Sequence, residues 1–291
     1  MSTIAATPEA PRSEARAART ERIRLLARSP LVVAGAIVVT FWIFCALFPG
    51  VVCPYNPIFD NNFIPNQPPT WAHPFGTDTN GRDVLSRVLA GSRAILQISV
   101  LATLIGTVLG TSLGLVTGYL RGVVDDVTSR FIDAILSLPL IITAIFVVTA
   151  VGNSGRWVVT LIIGLIFTPV IARTVRAGVL AEAELDYVQA AKLRGERRQY
   201  IMFSEILPNV MSLVVVEFTV RLGYAIFAIA TLGFLGFGVA PPSPDWAAQI
   251  YQYYTLIDPY WWMTLFPALA IASLVVAVNL VADGIREAYE R

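Results

Sequence analysis

Few side chains in this 291-residue chain could do covalent chemistry. His73 is the single histidine and has no second His or Cys at metal-ligand spacing, so no metal site is expected. Cys45 and Cys53 are the only cysteines, and the geometric demands of a disulfide do not favour pairing them. No GxxxxGK[ST] loop occurs, and no glycine-rich turn follows a strand to cradle a nucleotide. The chain is therefore expected to be no enzyme and to carry no cofactor. What remains is polar chemistry without bond making. Glu217 and Arg221 stand four residues apart on one helical face of an apolar run. They could neutralise each other so that the helix inserts, or line a polar pathway. A second block, Tyr187 to Tyr200 followed by Leu207 and Pro208, is basic and helix-forming and suits docking to a partner.

The elements that must position these residues are membrane helices. With 56% hydrophobic and only 14% charged residues, the composition is that of an integral membrane protein. Six runs are long enough to cross about 30 Å of hydrocarbon, at approximately 31–49, 95–120, 131–152, 157–177, 208–233 and 260–282. The alternating segments of about 10 residues that mark a transmembrane barrel are absent from the sequence. The expected fold is an all-α integral membrane protein with six transmembrane helices. It divides into a tail over 1–29, a first helix and outer segment over 30–94, a five-helix core over 95–285 and a short tail over 286–291. The first apolar run is too long, and lacks the small-residue cleavage site, for a signal peptide.

Orientation follows from the basic residues, since cytoplasmic loops retain positive charge. If the arginine-rich tail before Pro30 is inside, sixteen of the 21 basic residues are inside. Only Arg82, Arg87, Arg93 and Arg156 are then outside. Both termini are expected to be cytoplasmic, with the 178–209 connection on the same side.

Between the first two spans, 50–94 is proline-rich, and a helix is expected from about Thr79, capped by Thr77 or Asp78. His73 is expected in a solvated loop. The charges Arg82, Asp83 and Arg87 could form a platform for a partner outside the membrane, together with the cation-free, aromatic segment 234–259. Aromatic residues there also suit a membrane interface. Along the second span, Gly106, Gly110, Gly114 and Gly118 make a stripe on which another helix backbone can approach closely. That helix could belong to this chain or to a second membrane subunit.

Transport needs an energy source, and the spans hold no dense set of buried Asp, Glu and His to act as a proton relay. Energy is expected from another protein through the cytoplasmic block. Ala190 and Ala191 favour a short helix with little bulk, Gly195 can end it with a positive φ, and Pro208 can open the next span. The surrounding arginines could meet an acidic partner or simply hold topology.

These residues resemble the EAA loop of importer-type ABC transporter permeases, whose pattern is E-A-A, three residues, G, nine residues, I, any residue, L-P. Gln189, Ala190, Ala191, Gly195, Leu207 and Pro208 fall in register. Gln189 replaces the acidic residue, and Glu205 takes the isoleucine slot with Ile206 beside it. The run His73 to Asp78, then Gly81-Arg82-Asp83, Ser86-Arg87, Gly91 and Arg93, resembles the outer segment of the second permease subunit of dipeptide, oligopeptide and nickel importers. So do Asp133 with Ser137-Leu138-Pro139, and Phe234 to Gly238 with Pro241-Pro242 and Trp246.

The resemblance implies a type I ABC importer permease fold with a cytoplasmic coupling helix, in the plasma membrane of a prokaryote. It implies four sorts of partner: a homologous permease subunit, one or two ATPase subunits carrying ATP and Mg, an extracytoplasmic solute-binding protein, and membrane lipid. No nucleic acid partner is expected. The implied cargo is a dipeptide or oligopeptide, with nickel, glutathione or another small solute as the alternative on the same architecture. A self-contained secondary transporter or channel is the more distant reading, and the docking block argues against it.

Overall fold

The computed structural model describes residues 29–59, 63–152 and 155–290. The expected tail over 1–29 lies outside the described residues except for Ser29, as does the last residue of the tail over 286–291. Helix α1, Pro30–Leu47, opens with proline at its first turn, where a missing N–H breaks no helical bond. One side, with Gly35, Trp42 and Cys45, is buried, while Leu31, Ile37, Phe41 and Phe44 stay exposed, as lipid-facing residues do.

The next helix, α2, runs over Val84–Leu120 for 37 residues, roughly 55 Å at about 1.5 Å per residue. The expected lead-in helix and second span are thus one rod. Its cap is Asp83, not Thr77 or Asp78, because the Asp83 carboxylate accepts the Ser86 N–H at 2.8 Å. The rod ends where Arg121 and Gly122 both take positive φ, 53° and 66°.

The third expected span is broken. Helix α3, Gly122–Leu136, and helix α4, Leu140–Val151, meet at 91°. The break falls at Ser137-Leu138-Pro139, where Pro139 lacks a donor and steers Leu138 away from helical backbone. Among the described residues five helices are long and apolar enough to cross a membrane, or six if the bent pair is one span.

Helix α5, Arg156–Glu182, lies along α2 in the most extensive helix contact of the described chain. The glycine stripe makes this contact. A Cβ on Gly110 would fall 2.7 Å from Ile171 Cβ, and one on Gly114 would fall 2.7 Å from the Ala172 carbonyl. The stripe therefore packs within the chain.

Helix α6, Asp186–Leu193, is short. Helix α7, Arg198–Phe234, begins ten residues before the expected start and contains a π-helical segment, Ile201–Ile206. Leu207 N–H bonds to Met202, five residues back. Widening the turn there gives Pro208 room, since its ring would crowd the carbonyl four residues back in a regular helix. Helix α8, Trp246–Tyr253, and helix α9, Trp262–Glu290, complete the bundle. The buried core joins α2, α5, α7 and α9. No strand forms among the described residues beyond a single bridge between Thr77 and Asp83.

Candidate functional site

The segment before α2 is built on buried charge. Asp78 folds its own loop, since Oδ1 accepts the N–H groups of Asn80 and Arg82, both at 2.9 Å. Its other oxygen accepts Arg82 Nε at 2.8 Å and the Tyr253 hydroxyl at 3.1 Å. Arg87 Nε lies 3.6 Å from the same oxygen. The Arg87 guanidinium also donates to three carbonyls, those of Pro57 at 2.8 Å, Ser243 at 3.3 Å and Pro242 at 3.4 Å. Asp83 accepts from Ser86 on one oxygen and lies 3.0 Å from His73 Nδ1 on the other.

One carboxylate, Asp78, thus faces two guanidiniums while Asp83 is held by His73 and Ser86, with partners for almost every polar atom, which is what burying charge demands. Arg82, Asp83 and Arg87 are 4%, 0% and 1% exposed, so their charges lie inside the fold instead of on a docking surface. His73 is likewise buried at 5%, not solvated, because the Asp83 carboxylate and the Tyr55 and Phe63 rings enclose it.

Helix α8 is bolted to this network. Asp245 caps it, accepting Ala248 N–H at 2.9 Å, and burial pushes that carboxyl up from the ordinary carboxylate range. Trp246 is fully buried, donates to the Val88 carbonyl at 2.6 Å and meets Trp42 edge-on at 4.7 Å. The aromatic segment is therefore partly core, although Tyr251 and Tyr254 remain exposed, Tyr251 on the wall of an open cleft of about 340 Å³.

Glu217 and Arg221 close on each other within α7, with Nε to Oε2 at 3.0 Å, and the Tyr224 ring lies 5.3 Å from the guanidinium carbon. None of the other sequence-derived site residues joins them. Asp133 pairs with Arg173, and Asp125 with Arg176, tying α3 to α5.

The connection from α5 to α7 is built differently. Gly195 has φ +76°, its N–H bonds to the Lys192 carbonyl at 3.0 Å, and the next N–H, of Glu196, reaches Ala191 at 3.2 Å. This is a Schellman stop, and it needs the left-handed residue that glycine supplies without cost. Open space surrounds the missing Cβ, so torsion and not crowding sets the requirement.

The two alanines divide. Ala191 is buried with Val188 against Ile201, Met202 and Ile206, whereas Ala190 is exposed. Gln189, in the acidic slot of the loop pattern, donates to the Ala183 carbonyl at 3.0 Å and so ties the turn before α6. Tyr187 donates to Glu182 at 2.6 Å and accepts from Asn209 at 3.0 Å; burial first, then Glu182, pushes its phenol up to about 12.

At the pattern's isoleucine position the π-helical turn rotates the chain. Ile206 is fully buried, while Glu205 keeps a side chain 26% exposed, with Arg194 at 3.7 Å. Leu193, which sequence reasoning passed over, stands 90% exposed at the end of α6. Its signal was the spacing: Val188 and Ala191 already supply one apolar face, so Leu193 had to be on another.

A family model described as "Binding-protein-dependent transport system inner membrane component" matches residues 110–291. The dipeptide transport system permease protein DppC of Escherichia coli K12 is 38% identical over 265 residues, covering 89% of this chain and 88% of the relative. The di/tripeptide transport system permease protein DppC of Pseudomonas aeruginosa is 34% identical, covering 88% and 86%. The glutathione transport system permease protein GsiD of Pectobacterium atrosepticum is 35% identical, covering 92% and 89%. Among solved structures, a chain of the MetNI methionine ABC transporter, in inward facing conformations, has a TM-score of 0.56 at 22% identity. That match covers 70% of this chain and 97% of the other, a likeness of fold.

Proposed function

The chain belongs to the family of binding-protein-dependent transport system inner membrane components, and from that premise we propose that it forms half of the translocation pathway of an ATP-driven peptide importer. It is an all-α, multi-pass inner membrane protein of the importer-permease type. In the proposed assembly a homologous permease completes the pathway, and ATPase subunits bind ATP and Mg beneath it. A solute-binding protein docks above, and both termini lie in the cytoplasm. The boundaries 1–29, 30–94, 95–285 and 286–291 serve as tail, first helix with outer segment, core and tail.

The reading rests most on α6. A short helix buries Val188 and Ala191 on its own chain, presents Ala190 and Leu193 outward, and ends at a left-handed glycine. Nucleotide-driven closure of an ATPase dimer would favour one permease conformation through differential contacts on that outward face. Gln189, Ala190, Ala191, Gly195, Leu207 and Pro208 would set its shape. Glu217 and Arg221 would line the pathway or stabilise α7 within it. Arg82, Asp83 and Arg87 would act on binding-protein docking indirectly, by holding the outer segment rigid. The glycines from Gly106 to Gly118 would make α2 and α5 move as one body.

Glutathione is the second reading for cargo, because the GsiD relative matches this chain about as well as the DppC relatives. Reconstitution of the complete complex with its binding protein in proteoliposomes tests both. Uptake of a labelled dipeptide that requires ATP, with free glutathione failing to compete, is the expected result. Competition by glutathione alone would move the cargo to the second reading, and uptake by this chain without ATPase subunits would overturn the importer reading.

A further inference from the structure

Of the four arginines assigned to the outer side, Arg82 and Arg87 are buried in the Asp78 network. The other two have no acidic partner among the described residues. Arg93 makes no hydrogen bond or ion pair there, and Arg156 only donates to Gln97 Oε1 at 3.4 Å. Arg93 and Gln97 both stand at one cleft of about 460 Å³, whose walls are otherwise apolar and come from α1, α2, α7 and α9. Ile43, Leu96, Val100 and Leu222 represent those walls. The volume is in the range of clefts that hold a small ligand.

The cleft runs along the apolar part of the bundle. From Arg93 to Leu101 the lining of α2 descends eight residues, roughly 12 Å at about 1.5 Å per residue. That is close to one leaflet's share of a hydrocarbon layer about 30 Å thick. An occupant must therefore be an apolar chain at membrane depth, ending at the height of an unpaired guanidinium. Arginine matches phosphate in geometry and charge, and the Gln97 side-chain amide stands on the same rim. We propose that the cleft holds an acyl chain of an anionic phospholipid, with the phosphate on Arg93 beside Gln97. The same site explains why Arg93 stands without a protein partner among the described residues, where positive charge is otherwise sparse. The inference does not depend on the transported solute.

Native mass spectrometry of the full chain with its copurified subunits tests this, after delipidation and titration with phosphatidylglycerol or phosphatidylethanolamine of identical chains. The wild type should retain phosphatidylglycerol in preference to phosphatidylethanolamine. Arg93→Gln should lower phosphatidylglycerol retention about five-fold, as expected for one interfacial arginine, and lower phosphatidylethanolamine retention less, because the ethanolamine ammonium already offsets the phosphate charge. Because the Arg93 side chain makes no hydrogen bond or ion pair within the described fold, thermal stability should change little. Val100→Trp, which fills the cleft, should lower retention of both lipids. Equal phosphatidylglycerol preference in wild type and Arg93→Gln would overturn the proposal. So would efficient disulfide trapping of Val100→Cys to a cysteine on the homologous membrane subunit in native membranes, which would make the cleft a protein interface.

Discussion

The proposed outer end and the proposed cytoplasmic corner of this molecule both combine charged and aromatic residues with short helices, but they are held in opposite ways. At the outer end, Asp78, Asp83, Arg82 and Arg87 are buried, Asp78 pairing with both arginines and Asp83 with His73, and the network reaches segments as distant as Tyr253 and Ser243. At the corner, α6 leaves Ala190 and Leu193 exposed, and its ion pairs from Arg194 to Glu196 and Glu205 are long, both 3.7 Å. Buried, closely paired charge fixes a shape, because any displacement strands a charge in low dielectric. An exposed helix with one apolar face to spare can change partners at small cost. The difference assigns rigidity to the end that would receive a binding protein and adaptability to the end that would receive an ATPase.

The most damaging way to break this contrast is to unlock the rigid end. Asp78→Ala removes the carboxylate shared by Arg82, Arg87 and Tyr253. It should destabilise the folded chain by about 3–5 kcal/mol, the cost of stranding a buried charge, seen as a large fall in thermal stability in detergent. A near-wild-type melting temperature would show that the network is not holding that end.

At the corner the effects should fall on function before stability. Gly195→Val forces a β-branched residue to φ +76°, a strain of roughly 1–2 kcal/mol. It should cut uptake at least ten-fold in the reconstituted complex while the melting temperature changes little. Gly195→Asn, which tolerates that backbone region better, should recover part of the uptake. Equal loss in both variants would indicate that backbone geometry is not the reason for glycine.

A smaller effect is expected at Leu193, already 90% exposed. Leu193→Ser should leave the chain's stability unchanged but weaken ATPase association several-fold, measured by copurification, since partial burial of the leucine, at about 0.8 kcal/mol per buried CH2, contributes on the order of 1 kcal/mol. The smallest belongs to Arg194→Ala. Its long, solvent-screened pairs should contribute less than about 0.5 kcal/mol, so stability and uptake should both match the wild type. A marked defect would mean that Arg194 meets the partner directly.

Much of the scaffold could be read from single residues. Apolar runs marked the membrane helices, the four-residue glycine spacing marked a close-packing face on α2, and Gly195 marked the end of α6, because each depends only on near neighbours; that the glycine face meets α5 of the same chain was not legible. The break in the third span was legible at Pro139 but lay within an apolar run, which hydropathy reads as continuous. The start of α7 was hidden because a π-helical turn carries the helix past Pro208. Burial of His73, Arg82 and Arg87 was not legible. Arg82 and Arg87 look like surface charges until the chain brings Tyr253 and Ser243 back to them from more than 150 residues away.

Hydrogen–deuterium exchange of the reconstituted complex, with and without its ATPase subunits, addresses the central claim most directly. Amides of 185–197 should exchange fast without the ATPase and slow at least ten-fold with it, while those of 76–91 stay protected in both states. Unchanged exchange over 185–197, or a change confined to 76–91, would contradict the assignment of α6 as the docking element.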